Sequence, residues 1–410
     1  MGLLVQDFLL KHSFGELEEQ HAVKAHFDRD CYKFSLNYIQ GLVQDNDPLS
    51  QDCRGLVLTT PLGKSFLHQA REVNGRLSFA HIIPGETDII ALPMKRFFNH
   101  GQPGAADVDW NDPNLRVEEK RDGTLIIAAM DWIVNRWCCS TRGVPNADLP
   151  LDDYKDLTFR TLFDRAFKET MNIEFEDYAK ANLNEAITYC FELTTPYNRI
   201  VNQHDDFRIT LLAARHSTGL LTEIPIDGIL TDLPRVKTYS LKTPDEIVKW
   251  VNEQDPLKPC GEGVVVKDSS FRRLKIKNPA YVFHSKARDI FGSSSRNCLE
   301  LVLNGKEDDV LVALPPEIAN NILELKRQLG LVIRAHDTAY HDILGSLDNP
   351  SKKDFALAVK KRDDVWSAPM FAIFDKKATS MGDFIDQQKD ENGWSTTTLD
   401  RLLSLCKEAT

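Results

Sequence analysis

An α+β fold, with an antiparallel-sheet domain followed by an all-helical C-terminal domain, is predicted by three observations along this chain of 410 residues. Short β-rich runs recur between turn signals from about Asp52 to Lys277. Amphipathic helical stretches interrupt them, and after the glycine-serine patch at 292–295 β-branched alternation gives way to helical spacing. The length exceeds what one hydrophobic core ordinarily supports, so two domains are expected, residues 1–290 and 291–410.

Residues 1–11 carry a short apolar run without a basic leader or a small-residue cleavage site, which reads as a helix start and not as an export signal. Strands are expected at 55–60, 125–130, 132–140, 186–192, 209–214 and 263–267. Between them, residues 157–168 place Leu162, Phe163, Ala166 and Phe167 on one helical face, and a Thr-Pro start opens a helix at 243–252. In the last part, Pro315 and Pro316 open a run in which Ile318, Ile322, Leu325, Leu329 and Ile333 recur every three or four residues, ending near Gly345. Ser351 with Asp354 has the spacing of a capping arrangement, and residues 397–408 form a last helix.

No segment has the length needed to span a bilayer, so a membrane role is not expected. Eight cysteines show neither a CxxC pair nor Cys/His zinc spacing, which points to reduced thiols in a cytoplasmic protein. The net charge of -11 opposes loose binding to polyanions, so any nucleic-acid site must be a local basic cleft.

Chemistry concentrates in Lys120-Arg121-Asp122-Gly123-Thr124. A lysine amine is a nucleophile once deprotonated, which from a free pKa near ~10.4 requires neighbouring cations or desolvation. Gly123 lets the backbone approach a nucleotide, and Asp122 offers oxygen to a metal or substrate. Taken alone the pattern suits a solvated turn. Four further clusters in a set order change that: Arg54-Gly55, Phe191-Glu192, the run from Glu262 to Lys267, and Leu274-Lys275-Ile276-Lys277. Lys275 and Lys277, two apart on a strand, share a face and converge on phosphate, and their charge lowers the pKa of Lys120. Glu262 at the mouth of an apolar strand suits Mg²⁺ or Mn²⁺, and Glu192 can accept from ribose hydroxyls.

These residues resemble the covalent nucleotidyltransferases, and within them the bacteriophage T4 RNA ligase 1 family, over about residues 30–290. The resemblance is carried by Asp52-Cys53-Arg54-Gly55, Pro93-Met94-Lys95-Arg96-Phe97-Phe98-Asn99, Phe191-Glu192, Pro196-Tyr197-Asn198-Arg199-Ile200-Val201, and Lys275-Ile276-Lys277 with Tyr281-Val282 and His284. It implies an ATP-grasp-like antiparallel sheet and a reaction in which Lys120 takes AMP from ATP, passes it to an RNA 5′-phosphate, and a 3′-hydroxyl then displaces it. By the same resemblance Arg54 meets the phosphates or ribose, Glu192 the ribose, Glu262 the metal, Lys275 and Lys277 the phosphates, and Phe98 lines the nucleotide pocket. Here Arg96 stands where the family has a lysine before the Phe-Phe pair, so either Lys95 or Arg96 meets the nucleotide. Arg142, in Ser140-Thr141-Arg142-Gly143, stands for a family lysine and is assigned to substrate contact.

The helical part lacks a motif of its own and takes the place of the oligonucleotide-binding fold of DNA ligases and capping enzymes, which favours an RNA ligase. Single-stranded RNA ends or a nicked tRNA loop are the expected partners, selected with help from the helical part, and a monomer is expected. The competing readings are a capping-type or DNA-ligase-type nucleotidyltransferase and an inactive nucleotide- or RNA-binding relative.

Overall fold

The computed structural model describes residues 2–408 except 28–31, 40–41, 45, 61–70, 74–75, 149, 152–153, 199, 228–229, 231, 293, 306–310, 312–313, 315, 363–364 and 391–392. It divides into two compact units, Met1–Tyr281 and Val282–Thr410. The expected Arg199, and Pro315 at the head of the long helix, lie outside the described residues.

The first unit opens with helices α1 (Leu4–Leu9) and α2 (Phe14–His21) and is built on three sheets. One pairs β1 (Val23–Phe27), β2 (Lys33–Tyr38), β3 (Arg54–Thr59) and β6 (Asp88–Ala91) in that order, while β4 (Arg71–Val73) and β5 (Arg76–Ser78) form a separate hairpin. A second orders β16 (Thr238–Tyr239), β8 (Arg116–Glu119), β17 (Gly263–Lys267), β18 (Arg273–Lys277) and β7 (Phe98–Asn99). The third orders β10 (Arg136–Ser140), β9 (Thr124–Asp131), β13 (Ile187–Thr194), β14 (Arg208–His216) and β15 (Glu223–Ile224), and β11 (Pro150–Leu151) pairs β12 (Tyr154–Thr158). Pairing is antiparallel throughout these sheets except between β7 and β18, where Phe98 aligns with Leu274 and Asn99 with Lys275.

The third sheet is covered on both faces, which explains the unbroken apolar run at 125–130. Ile126, Ala128 and Met130 turn toward Phe163 and Phe167 of α3 (Phe159–Met171) and Phe175 of α4 (Phe175–Asn182). Leu125, Ile127 and Ala129 turn the other way, onto Val57, Ile90 and Met94. Helix α3 starts where Thr158 Oγ1 accepts from Thr161 N at 3.1 Å and ends at Asn172 in the left-handed region. Its Leu162, Phe163, Ala166 and Phe167 all enter the core, and each fully buried Phe contributes about 1.5–3 kcal/mol. Over the second sheet, Ile247 and Val251 of α5 (Pro244–Asn252) pack on Val264, Val266, Leu274 and Ile276.

The strand expected over 132–140 begins only at Arg136. Asp131 Oδ1 accepts from Ile133 N at 3.2 Å and Asn135 is left-handed, so this local turn chemistry overrides the β propensity of Trp132, Ile133 and Val134. At the same corner Asp131 Oδ2 accepts from Lys33 Nζ and Tyr32 Oη, both at 2.9 Å, fastening β9 to β2. Cys138 and Cys139 are strand residues, and the seven described cysteines are free.

Helix α6 (Pro279–Gly292) carries the boundary between the units. The second unit continues with α7 (Ser295–Leu303), α8 (Pro316–Gly345), α9 (Lys352–Val359), α10 (Ser367–Phe374), α11 (Met381–Gln387) and α12 (Thr396–Glu408). Along α8, Ile318, Ile322 and Leu329 are buried and Leu325 and Ile333 pack beside them, as the spacing requires. Ser351 and Asp354 form a reciprocal capping box at the start of α9. The unit is not wholly helical: Lys389–Asp390 pairs with Gly393–Trp394, where the buried Trp394 indole donates to Ile385 O at 2.9 Å and draws the chain into a tight return. Among the described residues no helix is long and apolar enough to cross a membrane.

Candidate active site

Lys120 leaves β8 while its backbone N–H still donates to Gly263 O at 3.0 Å, so the ladder seats it beside Glu262. Its Nζ lies 2.7 Å from Glu262 Oε1, and Lys277 Nζ reaches the same oxygen at 2.8 Å. One nearly buried carboxylate thus bridges two ammonium groups. Leu274 and Ile276 alternate into the core, which leaves Lys275 and Lys277 on the opposite face of β18. Gly263 makes the entry into β17 possible: its φ is +127°, and a Cβ there would stand 2.1 Å from Ile276 O.

The opposing wall comes from the other two sheets. Glu192 on β13 feels the charges of Lys120, Glu262, Arg54 and Asp122. Burial pushes its carboxyl up to about 7, reinforced by Glu262 and opposed by Lys120 and Arg54. Arg54, at the start of β3, stacks 5.3 Å from the centre of the Phe97 ring, and Lys275 Nζ lies 5.7 Å from the same ring. Arg54 Nη1 is buried without a hydrogen-bond partner. The turn carrying Arg142 crosses Gly55, where an added Cβ would meet Arg142 Cα at 3.0 Å, and the exposed Arg142 adds its charge to burial in lowering the pKa of Arg54.

The proton balance differs from the expectation that the paired lysines lower the pKa of Lys120. Burial alone would lower it, but Glu262, then Glu192 and Asp122, outweigh burial and raise it. With the Glu262 carboxylate at 2.7 Å and two further carboxylates acting on it, the Coulomb attraction outweighs burial. Lys275, by contrast, is brought down to about 8 by burial and by Lys277, Lys120 and Arg54.

Other expected contacts are redistributed. Asp122, expected to touch nucleotide or metal, is 1% exposed and spoken for: Oδ2 accepts from Val201 N (2.9 Å) and Asn202 N (2.6 Å), and Oδ1 from Tyr281 Oη (2.7 Å). It pins the turn that follows Lys120. Gly123 is a packing glycine, since a Cβ would fall 2.4 Å from Leu193 O of β13. Phe98 aligns with core-facing Leu274, so the ring facing Lys275 is Phe97, while Lys277 lies over the Tyr281 ring. Only the parallel pairing of a two-residue strand sets that choice, and the sequence holds no signal for it. Arg96 is held between the Tyr38 and Phe98 rings, 4.5 and 4.3 Å from their centres, and donates to Gln44 O at 3.1 Å. Lys95 is exposed. Tyr281, for which the sequence suggests no role, is the partner of Asp122.

Arg54, Phe97, Glu119, Lys120, Arg121 and Glu192 line a cavity of about 60 Å³. Phe97 and Arg273 also border a larger cavity of about 370 Å³ that includes Lys95, Arg96 and Phe98. Among the described residues no three His, Cys, Asp or Glu side chains gather as a metal cage. Mg²⁺ is commonly held by one or two carboxylates with waters and substrate phosphates completing the shell, and Glu262, already bridging two cations, with Glu192 nearby, fits that partial set.

A family model for RNA ligases matches residues 52–282, more than half of the chain. A protein of Autographa californica nuclear polyhedrosis virus, named as a bifunctional polynucleotide kinase/RNA ligase, is 27% identical over 292 residues, covering 68% of this chain and 37% of the viral protein. The chain therefore spans little more than a third of that relative. Among solved structures, two archaeal ATP-dependent RNA ligase structures are remotely similar: form 1 at 13% identity and a TM-score of 0.37, covering 68% of this chain and 66% of the other, and form 2 at 15% and 0.41, covering 77% of each.

Proposed function

The chain belongs to the T4 RNA ligase 1 family of RNA ligases, and from that membership we propose that it consumes ATP to join RNA 5′-phosphate and 3′-hydroxyl ends, with AMP carried on Lys120. The observation that carries this reading is the shared oxygen of Glu262, which holds Lys277 beside Lys120, itself a lining residue of the cavity walled by Arg54 and Glu192. It sets the candidate nucleophile among cations suited to a triphosphate.

In the proposed sequence the Lys120 amine attacks the α-phosphorus of ATP; a P–N bond forms, the bond to pyrophosphate breaks, and the lysine proton is lost. The RNA 5′-phosphate then displaces the lysine, and a 3′-hydroxyl displaces AMP to leave a phosphodiester. In the free protein Glu262 holds Lys120 charged, so Lys120 must loosen from it before the first step. Lys277 and Lys275 would attract phosphate oxygens, Arg54 would offer its unpartnered Nη1, and Glu192 would accept from a ribose hydroxyl. A Mg²⁺ bound at Glu262 would neutralise phosphate charge. The chain's own residues orient the nucleotide: Asp122 and Tyr281 fix the turn after Lys120, and Phe97 gives the cleft an apolar wall. RNA with a broken loop, as in nicked tRNA, is the proposed substrate, with the helical unit biasing its choice.

The test is incubation with α-labelled ATP and Mg²⁺, comparing wild type with Lys120→Ala. Label held covalently on wild type alone is expected; equal labelling of both proteins would overturn the assignment of Lys120.

A further inference from the structure

The β17–β18 hairpin ends in a feature that the AMP-transfer site does not use. Phe271 stands there at φ +62°, a left-handed backbone that a bulky aromatic side chain rarely adopts. The conformation is imposed by Asp268: Oδ1 accepts from Ser270 N and Arg272 N, both at 3.0 Å, and Oδ2 accepts from Arg272 Nε at 2.6 Å. Phe271 N closes the turn onto Asp268 O at 3.0 Å. Glycine would fit this turn without strain, so the geometry asks for a reason to keep an aromatic ring here.

The surroundings supply one. Phe271 is only partly buried and borders the 370 Å³ cavity together with Phe98, Lys95 and Arg272. That cavity shares Phe97 and Arg273 with the small cavity of Lys120, so the two adjoin. Lys95 is exposed and has no ion pair among the described residues, and the Arg272 side chain is 44% exposed, with guanidinium N–H groups beyond the one spent on Asp268. Aromatic faces with cations at the margin are what a single-stranded nucleic acid needs: bases stack, and phosphates meet ammonium and guanidinium groups. The overall charge of -11 gives RNA little reason to bind elsewhere without such local complementarity.

We propose that the β17–β18 hairpin tip is an RNA subsite, in which Phe271 stacks on a base of the single strand whose 5′-phosphate is presented to Lys120, while Arg272 and Lys95 hold its backbone phosphates. The inference rests on the lysyl-AMP reading and adds the place where the 5′-phosphorylated RNA strand lies.

The experiment separates the two steps. Wild type, Phe271→Ala, Phe271→Trp and Arg272→Ala are first labelled with α-labelled ATP, then chased with a 5′-phosphorylated single-stranded oligoribonucleotide. Labelling of all four at the wild-type level is expected. The RNA concentration giving half-maximal AMP transfer should rise about tenfold in Phe271→Ala and stay near wild type in Phe271→Trp. In Arg272→Ala it should rise with a salt dependence shallower by about one phosphate contact. Phe271→Gly, which suits the left-handed turn, provides a folded variant lacking the ring should Phe271→Ala not fold, and should show the same loss. Unchanged transfer in the ring-deleted variants overturns the subsite, and a fall in labelling matching the fall in transfer assigns the groove to ATP instead. If wild type takes no label, the lysyl-AMP reading fails on its own; fluorescence anisotropy with the same RNA then decides the subsite, which equal affinity of wild type and Phe271→Gly would sink.

Discussion

Lys120 Nζ and Glu262 Oε1 meet at 2.7 Å where β8 and β17 run side by side, and Lys277 shares the same oxygen at 2.8 Å. The pair keeps the candidate nucleophile charged in the free protein and gathers the other cations around it.

Glu262→Gln keeps the shape of that junction and removes its charge. Two ammonium groups then lose the carboxylate they share, and the proposed Mg²⁺ site would lose its carboxylate. Formation of labelled protein from α-labelled ATP should slow on the order of 10²-fold, by analogy with loss of one preorganised electrostatic contact. A rate within a factor of two of wild type would show that the carboxylate is dispensable.

Lys275 is charged below about 8 and neutral above it, because burial and the neighbouring cations disfavour its ammonium form. Its attraction for phosphate should therefore fade as pH rises from 7 to 9, weakening ATP binding measured by titration calorimetry. Lys275→Arg stays charged and should abolish that decline. The sign for stability is opposite: between about 8 and the ordinary 10.5 the unfolded chain binds more protons, so this residue adds stability as pH rises through that window.

Asp122 accepts from Tyr281 Oη and from two backbone N–H groups. Tyr281→Phe deletes one neutral donor and should lower stability by about 1 kcal/mol in urea unfolding. Asp122→Asn turns an amide N–H₂ toward donors and should lose more, together with most of the Lys120 labelling. If the two variants are equally stable, the carboxylate is not the pin described.

Gly263→Ala forces a Cβ to within 2.1 Å of Ile276 O at a φ of +127°. Strands β17 and β18 must part locally, and Lys277, paired with Gly263 in the ladder, moves with them. A loss of at least about 2 kcal/mol is expected, with labelling reduced in the fraction that remains folded. Unchanged melting and labelling would contradict this packing.

Lys33 is 1% exposed and Asp131 0%. Asp131→Ala strands a buried ammonium and should remove about 3–5 kcal/mol. The double variant Lys33→Met, Asp131→Leu should recover most of that loss, and thermal unfolding of the three proteins measures it.

The sequence by itself determined the pieces whose signal is local. Spacing of two put Lys275 and Lys277 on one face, spacing of three and four set the buried side of α3 and α8, and Ser351 with Asp354 marked a helix start. The ordered motifs, through their resemblance to a family, singled out Lys120 as the candidate nucleophile and Glu262 as the candidate metal ligand. Only tertiary structure decided the relations that arise from pairing distant strands. Register between β8 and β17 placed Glu262 within reach of Lys120 and so raised the pKa that the paired lysines were expected to lower. The parallel β7–β18 contact turned Phe97, not Phe98, toward Lys275, and the Val201–Asn202 turn claimed the carboxylate of Asp122. Charge interactions and hydrogen bonds depend on separations of a few ångströms, and residues far apart in the chain acquire those separations only when the sheets assemble.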